Sequence, residues 1–123
     1  MMKVGLDIHG VVDKAPEFFS VIAKLLRGDG HEVHIITGLK EKDFLQLSEI
    51  EGIEYTHFYS ITDHLLDTKE FSLDIHSRPR FNDYDWNTAK AIYCKEHQID
   101  IMLDDSNIYG KYFSTPYFQV RKQ

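Results

Sequence analysis

From end to end the chain alternates short apolar, β-branched runs with segments whose apolar residues recur at helical spacing, and this limits the folds open to it. Strands are predicted at Lys3–Leu6, His31–Thr37, Ile53–Tyr59, Ile99–Leu103 and Tyr117–Val120. Helices are predicted from Pro16 to Arg27, with Phe18, Phe19, Ile22, Leu25 and Leu26 at helical spacing, and from Glu41 to Ile50. A short helix is expected over Thr62–Lys69. A longer one runs from Asp85 to His97, capped by Asp85 or Asn87, with Ala89, Ile92 and Tyr93 inward. Ser106–Phe113 has room for one or two helical turns. Strands joined through helices make parallel neighbours with right-handed crossovers, so the expectation is a doubly wound α/β three-layer sandwich. Its parallel five-stranded sheet would have the order 5-4-1-2-3, which opens a crevice beside the first strand.

With 123 residues, the chain is long enough for one core and too short for two. Residues 1–123 are therefore read as a single domain, with 60–84 as a small insertion over the site. A formal charge of −6 supplies no field to recruit nucleic acid or anionic membrane. An anionic substrate must then be held by local cations or a metal. The one cysteine, Cys94, has no internal partner, which fits a reducing compartment. With no signal-like or membrane-spanning apolar run, the expected location is cytoplasmic.

In such a sheet the strand C-termini share one edge, and polar residues stand at these ends. Asp7 follows the first strand, with His9 and Gly10 in the turn beyond it; Thr37 and Gly38 follow the second, and Asp104 and Asp105 the fourth. Lys90 lies in the preceding helical segment, with Lys69 as its rival. Carboxylates gathered in one crevice repel one another unless a cation lies between them, and hard oxygen donors favour Mg²⁺. A hydroxyl and an ammonium at the same edge are donors for phosphoryl oxygens.

Four segments, LDIHGVVD, IITG, Lys90 and IMLDDS, taken in this order, resemble the motifs of the haloacid dehalogenase superfamily of aspartate-nucleophile phosphatases. The resemblance implies a HAD-like fold and a Mg²⁺-dependent phosphoric-monoester hydrolase working through an aspartyl-phosphate on Asp7. By the same resemblance Thr37, Gly38 and Lys90 hold the phosphate. Asp7, the backbone carbonyl of His9, Asp104 and Asp105 hold the metal. A nearly capless member implies an open crevice for a phosphorylated small molecule, such as a nucleotide, or a larger phosphomonoester, or one covered by a second copy in a homo-oligomer. The departure is His9, where the family normally carries a second Asp as acid and base. Imidazole can give and take a proton near neutrality, so turnover is expected to survive. The alternative is a degenerate domain that binds metal or a phosphorylated ligand as a regulatory module. A response-regulator receiver domain is set aside by chain order, because it places its acidic pair after the first strand.

Blander roles stand beside these. Thr37 or Asp13 would serve as a helix cap, and Arg78 and Arg80 as parts of a solvated loop. Trp86 and the tyrosines fit core anchors. His31, His34, His57, His64, His76 and His97 show no metal-ligand spacing and read as surface or strand residues.

Overall fold

The computed structural model describes residues 1–121. Its sheet is built from β1 (Lys3–Leu6), β2 (Glu32–Thr37), β3 (His57–Ser60), β6 (Ile101–Asp104) and β7 (Tyr117–Gln119), all parallel. Between them lie α1 (Pro16–Gly28), α2 (Glu41–Phe44), α3 (Ile61–Thr68) and α4 (Asp83–Glu96). The expected numbering 5-4-1-2-3 assumed five strands in all. Two more, β4 (Ser72–Leu73) and β5 (Pro79–Arg80), form a separate antiparallel hairpin within 60–84, and the sheet order is β3-β2-β1-β6-β7.

Alternation along β2 sorts the core into two layers. Val33 and Ile35 join Phe19 and Ala23 of α1, whereas Ile36 joins Tyr93 and Cys94 of α4 and Met102 of β6. Gly5 of β1 faces this second layer. A Cβ there would lie 2.7 Å from Met102 Sδ and 2.8 Å from Ile36 Cδ1, so the central strand yields its side chain to its neighbours.

Several element boundaries differ from the sequence expectation. The helix expected over Glu41–Ile50 stops at Phe44. Beyond it the N–H groups of Gln46 and Leu47 bond three residues back, and a 3-10 turn at Ser48–Ile50 follows. Both Phe44 and Ile50 stay buried, so the core contacts survive the break. The third strand is confined to His57–Ser60. In α4 the cap is Asn82, whose side chain accepts from Tyr84 N–H and Asp85 N–H, rather than Asp85 or Asn87. Ile92 is half exposed, because the buried face of α4 carries Ala89, Lys90, Tyr93 and Cys94, and a residue between these points away. Phe18 and Leu25 of α1 are likewise exposed, and Phe19 and Ala23 are its buried anchors. Among the described residues no helix is long and apolar enough to cross a membrane.

Candidate active site

The order in which strands are added to the sheet switches sides at β1. The strands β2 and β3 extend to one side and β6 and β7 to the other, so a crevice opens where β1 and β6 end. Asp7 leaves β1 there, its N–H donating to Leu103 C=O at 3.0 Å. Asp104 closes β6, and Asp105 follows it. One carboxylate oxygen from each of the three lies within 4.8 Å of the others, forming a group that could hold a metal ion.

Lys90 reaches this cluster from α4. Its Nζ is 3.0 Å from Asp7 Oδ1 and 2.7 Å from Asp104 Oδ2, and its side chain is only 3% exposed. Lys69 is exposed and lies outside the cavity, so of the two lysines it is Lys90 that reaches the acidic cluster. Asp104 spends its other oxygen on the Ser106 N–H at 3.0 Å. The Ser106 hydroxyl in turn accepts from the N–H groups of Ile108 and Tyr109 and folds the following loop against the site.

The electrostatics show an imbalance. Two buried carboxylates, Asp7 and Asp104, share one buried ammonium, Lys90, which leaves a formal charge of −1 among these three groups. Burial pushes the Asp7 carboxyl up to about 7; Lys90 opposes the shift, and Asp104 adds to it. For Lys90 burial disfavours the charge, but Asp7 and Asp104 outweigh it and hold its pKa above the usual lysine value. A cation among three carboxylates relieves this repulsion, and an all-oxygen donor set suits a hard divalent ion. The residues present therefore fit a metal.

His9 and Gly10 form the turn after β1. Gly10 has φ of +87°, and a Cβ on it would collide with the Asp105 carboxylate, so glycine is required twice over. Asp13 ties this turn down. One of its oxygens accepts from Gly10 N–H at 2.8 Å and the other lies 3.1 Å from His9 Nδ1. Asp13 does not cap α1, whose N-cap Ala15 receives no side-chain hydrogen bond. Since a carboxylate only accepts, His9 carries its proton on Nδ1 when neutral, which leaves Nε2 to exchange a proton.

These residues line one cavity of about 450 Å³ with Asp7, His9, Thr37, Gly38, Lys90, Asp104 and Asp105 all in its wall. Thr37 is buried, and its Oγ1 accepts from Leu39 N–H at 3.2 Å. It does not cap α2, because the N-cap position belongs to Lys40. No residue of 60–84 lines this cavity, so the inserted hairpin does not cover it. Trp86 and Tyr109, which the sequence suggests as core anchors, also belong to this wall. Trp86 Nε1 donates to Tyr109 Oη at 2.8 Å, and the Tyr109 ring lies 5.4 Å from Lys90 Nζ. The one available signal was helical spacing, because Trp86 is four residues before Lys90 and shares its face.

Comparisons of the chain with protein-family models, with curated proteins and with solved structures find no match.

Proposed function

We propose that the protein is a Mg²⁺-dependent phosphomonoesterase of the haloacid dehalogenase type, with Asp7 as nucleophile. The observation that carries this reading is the meeting of Asp7, Asp104, Asp105 and Lys90 at the β1–β6 crevice, with Thr37 in the same wall. Asp7, Asp104 and Asp105 would hold the ion, which when bound supplies positive charge that keeps Asp7 ionised and offsets the charge of a phosphate. The other roles fall to the chain itself. Asp7 Oδ attacks phosphorus and the ester oxygen leaves with the bonding pair, giving an aspartyl-phosphate. Lys90 and the Thr37 hydroxyl donate to the phosphoryl oxygens. His9 Nε2 protonates the leaving oxygen and then takes a proton from the water that attacks the aspartyl-phosphate, while Asp13 holds the ring at Nδ1. The water oxygen bonds to phosphorus, the bond from phosphorus to the Asp7 oxygen breaks, and inorganic phosphate is released as the Asp7 carboxylate is restored.

Assay with a broad panel of phosphomonoesters and Mg²⁺ tests the reading. Turnover that Asp7→Asn abolishes is the expected result. A parent protein that binds Mg²⁺ yet hydrolyses no member of the panel would replace the enzyme with a binding module. The exposed His9 side chain, 59% accessible in place of the family's carboxylate, is what favours that second reading.

A further inference from the structure

At the opposite end of β2 a different set of side chains converges. Glu32 opens the strand, His34 follows two residues later on the same face, and His57 of β3 is the register partner of His34. His34 Nε2 lies 2.8 Å from Glu32 Oε1, and His57 Nδ1 lies 3.8 Å from the same oxygen. One donor atom from each residue falls within a 4.8 Å group. From these contacts we propose that Glu32, His34 and His57 form a second divalent-metal site, suited to a borderline transition ion such as Zn²⁺ and separate from the acidic crevice.

Donor chemistry distinguishes the two places. Two imidazoles and a carboxylate are a familiar Zn²⁺ set, whereas the oxygen-only cluster suits harder ions. His34 supplies the independent argument. It is 1% exposed in the middle of a strand, a costly place for an imidazole, and its second nitrogen is held by Tyr93 Oη at 2.7 Å. A ligating histidine has this arrangement, with the far nitrogen fixed by an oxygen that sets ring orientation and tautomer. Without metal, Nε2–H donates to the Glu32 carboxylate and Nδ1 accepts from the tyrosine hydroxyl. With metal on Nε2 the proton sits on Nδ1 and donates to the same hydroxyl. Tyr93 serves both states because a hydroxyl can donate to Nδ1 or accept from it.

His57 gives the site its opening. Its side chain is 48% exposed, so solvent or a further ligand can complete the coordination. The His34 and His57 rings stack 4.2 Å apart at 4°. Ligand lone pairs lie in the ring planes, so the exposed His57 ring turns about its side-chain torsions to aim Nδ1 at the ion, giving up its 2.8 Å contact with Thr56 Oγ1. The site costs the His57–Thr56 and His34–Glu32 hydrogen bonds and a tautomer exchange.

Titration of the folded chain with Zn²⁺ alone, followed by histidine ring ¹⁵N NMR and calorimetry, tests the proposal. Zinc should shift the ring nitrogens of His34 and His57 and leave those of His9 and His76 in place. His57→Ala, at an exposed position that the fold tolerates, should weaken the site at least about tenfold, and so should Tyr93→Phe through loss of the orienting hydroxyl. Circular dichroism of each variant shows whether it is folded. Zinc bound only at Asp7, Asp104 and Asp105, with the His34 and His57 nitrogens unmoved, would overturn the proposal and leave the reading of the acidic crevice intact. A folded His57→Ala that binds Zn²⁺ at His34 as tightly as the parent would overturn it as well.

Discussion

The two ends of β2 and α4 differ in how they satisfy their polar groups. At the strand C-termini, Lys90 of α4 is shared by the two buried carboxylates of Asp7 and Asp104, with Thr37 of β2 in the same wall, and the charges of these three groups do not balance. At the other end, Glu32 and His34 of β2 meet Tyr93 of α4 in a relay where donors match acceptors. His34 stays neutral there, its pKa lowered by burial against the opposing pull of Glu32. One end therefore carries a surplus of buried negative charge, which raises the free energy of the empty fold. The other is stable as it stands and changes state only by moving protons between partners. A surplus of this kind is expected where charge is to be bound during a reaction, and a satisfied relay where a ligand is held in place.

This contrast sharpens most on Asp7. Asp7→Asn removes the proposed nucleophile, and turnover of p-nitrophenyl phosphate should fall by more than about 10³-fold. The same substitution relieves repulsion with Asp104, so the metal-free variant should melt above the parent. Glu32→Gln, at the balanced end, should leave turnover unchanged. Initial rates and thermal melts on the two variants check this, and equal rates for Asp7→Asn and parent would end the contrast in function.

Lys90 tests the same imbalance through stability. Lys90→Met leaves two buried carboxylates facing each other without a cation. Removing one partner of such a buried cluster costs about 3–5 kcal/mol. Urea denaturation with and without Mg²⁺ measures it, and the loss should shrink when the ion is present. A loss below about 1 kcal/mol would mean that the carboxylates take up protons at little cost.

A smaller effect is expected at His9. Its pair with Asp13 is solvent-accessible, with the imidazole 59% exposed, so His9→Ala should change stability by less than about 1 kcal/mol. In the proposed mechanism it should slow breakdown of the aspartyl-phosphate by about 10²-fold, the low end for general acid–base catalysis. Formation should slow less when the leaving group is good. Burst and steady-state kinetics separate the two steps, and a variant as fast as the parent on good and poor leaving groups removes His9 from the chemistry.

What the sequence showed and what it hid follow the same division. Asp7, Thr37 and the Asp104–Asp105 pair were legible because they stand at the C-terminal ends of three strands, and a parallel sheet brings strand ends together whatever the loops do. Lys90 was ambiguous with Lys69, since both lie on helical segments and only packing buries one of them. The Glu32, His34 and His57 group was missed because it depends on cross-strand register. His34 and His57 become neighbours through β2–β3 pairing, and a search for close spacing along the chain does not see them. Of the two readings of Asp13, as an acidic residue of the first motif or as a helix cap, the cap fails for a related reason: its partners, His9 and Gly10, lie behind it in the turn rather than ahead of it in α1.

The last consequence of the imbalance is a slope of stability with pH in the metal-free protein. Asp7 has its folded-state pKa raised from 3.8 to about 7 by burial, with Lys90 opposing and Asp104 reinforcing the shift. Between these values the folded state holds a proton that the unfolded chain has released, so stability falls as pH rises. The contribution is fully present below the unfolded value and is lost through about pH 7. A single group changes stability by at most about 1.4 kcal/mol per pH unit. Asp7→Asn should flatten this part of the profile, because an amide does not titrate there. Saturating Mg²⁺ should flatten it too, since an ion bound among the carboxylates favours the deprotonated form. His34 tilts the profile the other way: its lowered folded pKa makes the folded state the poorer proton acceptor, so its contribution is present above the unfolded histidine value and lost as pH falls below it. Urea midpoints of chelator-treated parent, Asp7→Asn and Mg²⁺-loaded parent, taken from pH 4 to 8, resolve the two ends. A parent profile that stays flat with chelator, and does not change with Asp7→Asn, would show that the crevice holds its carboxylates without strain.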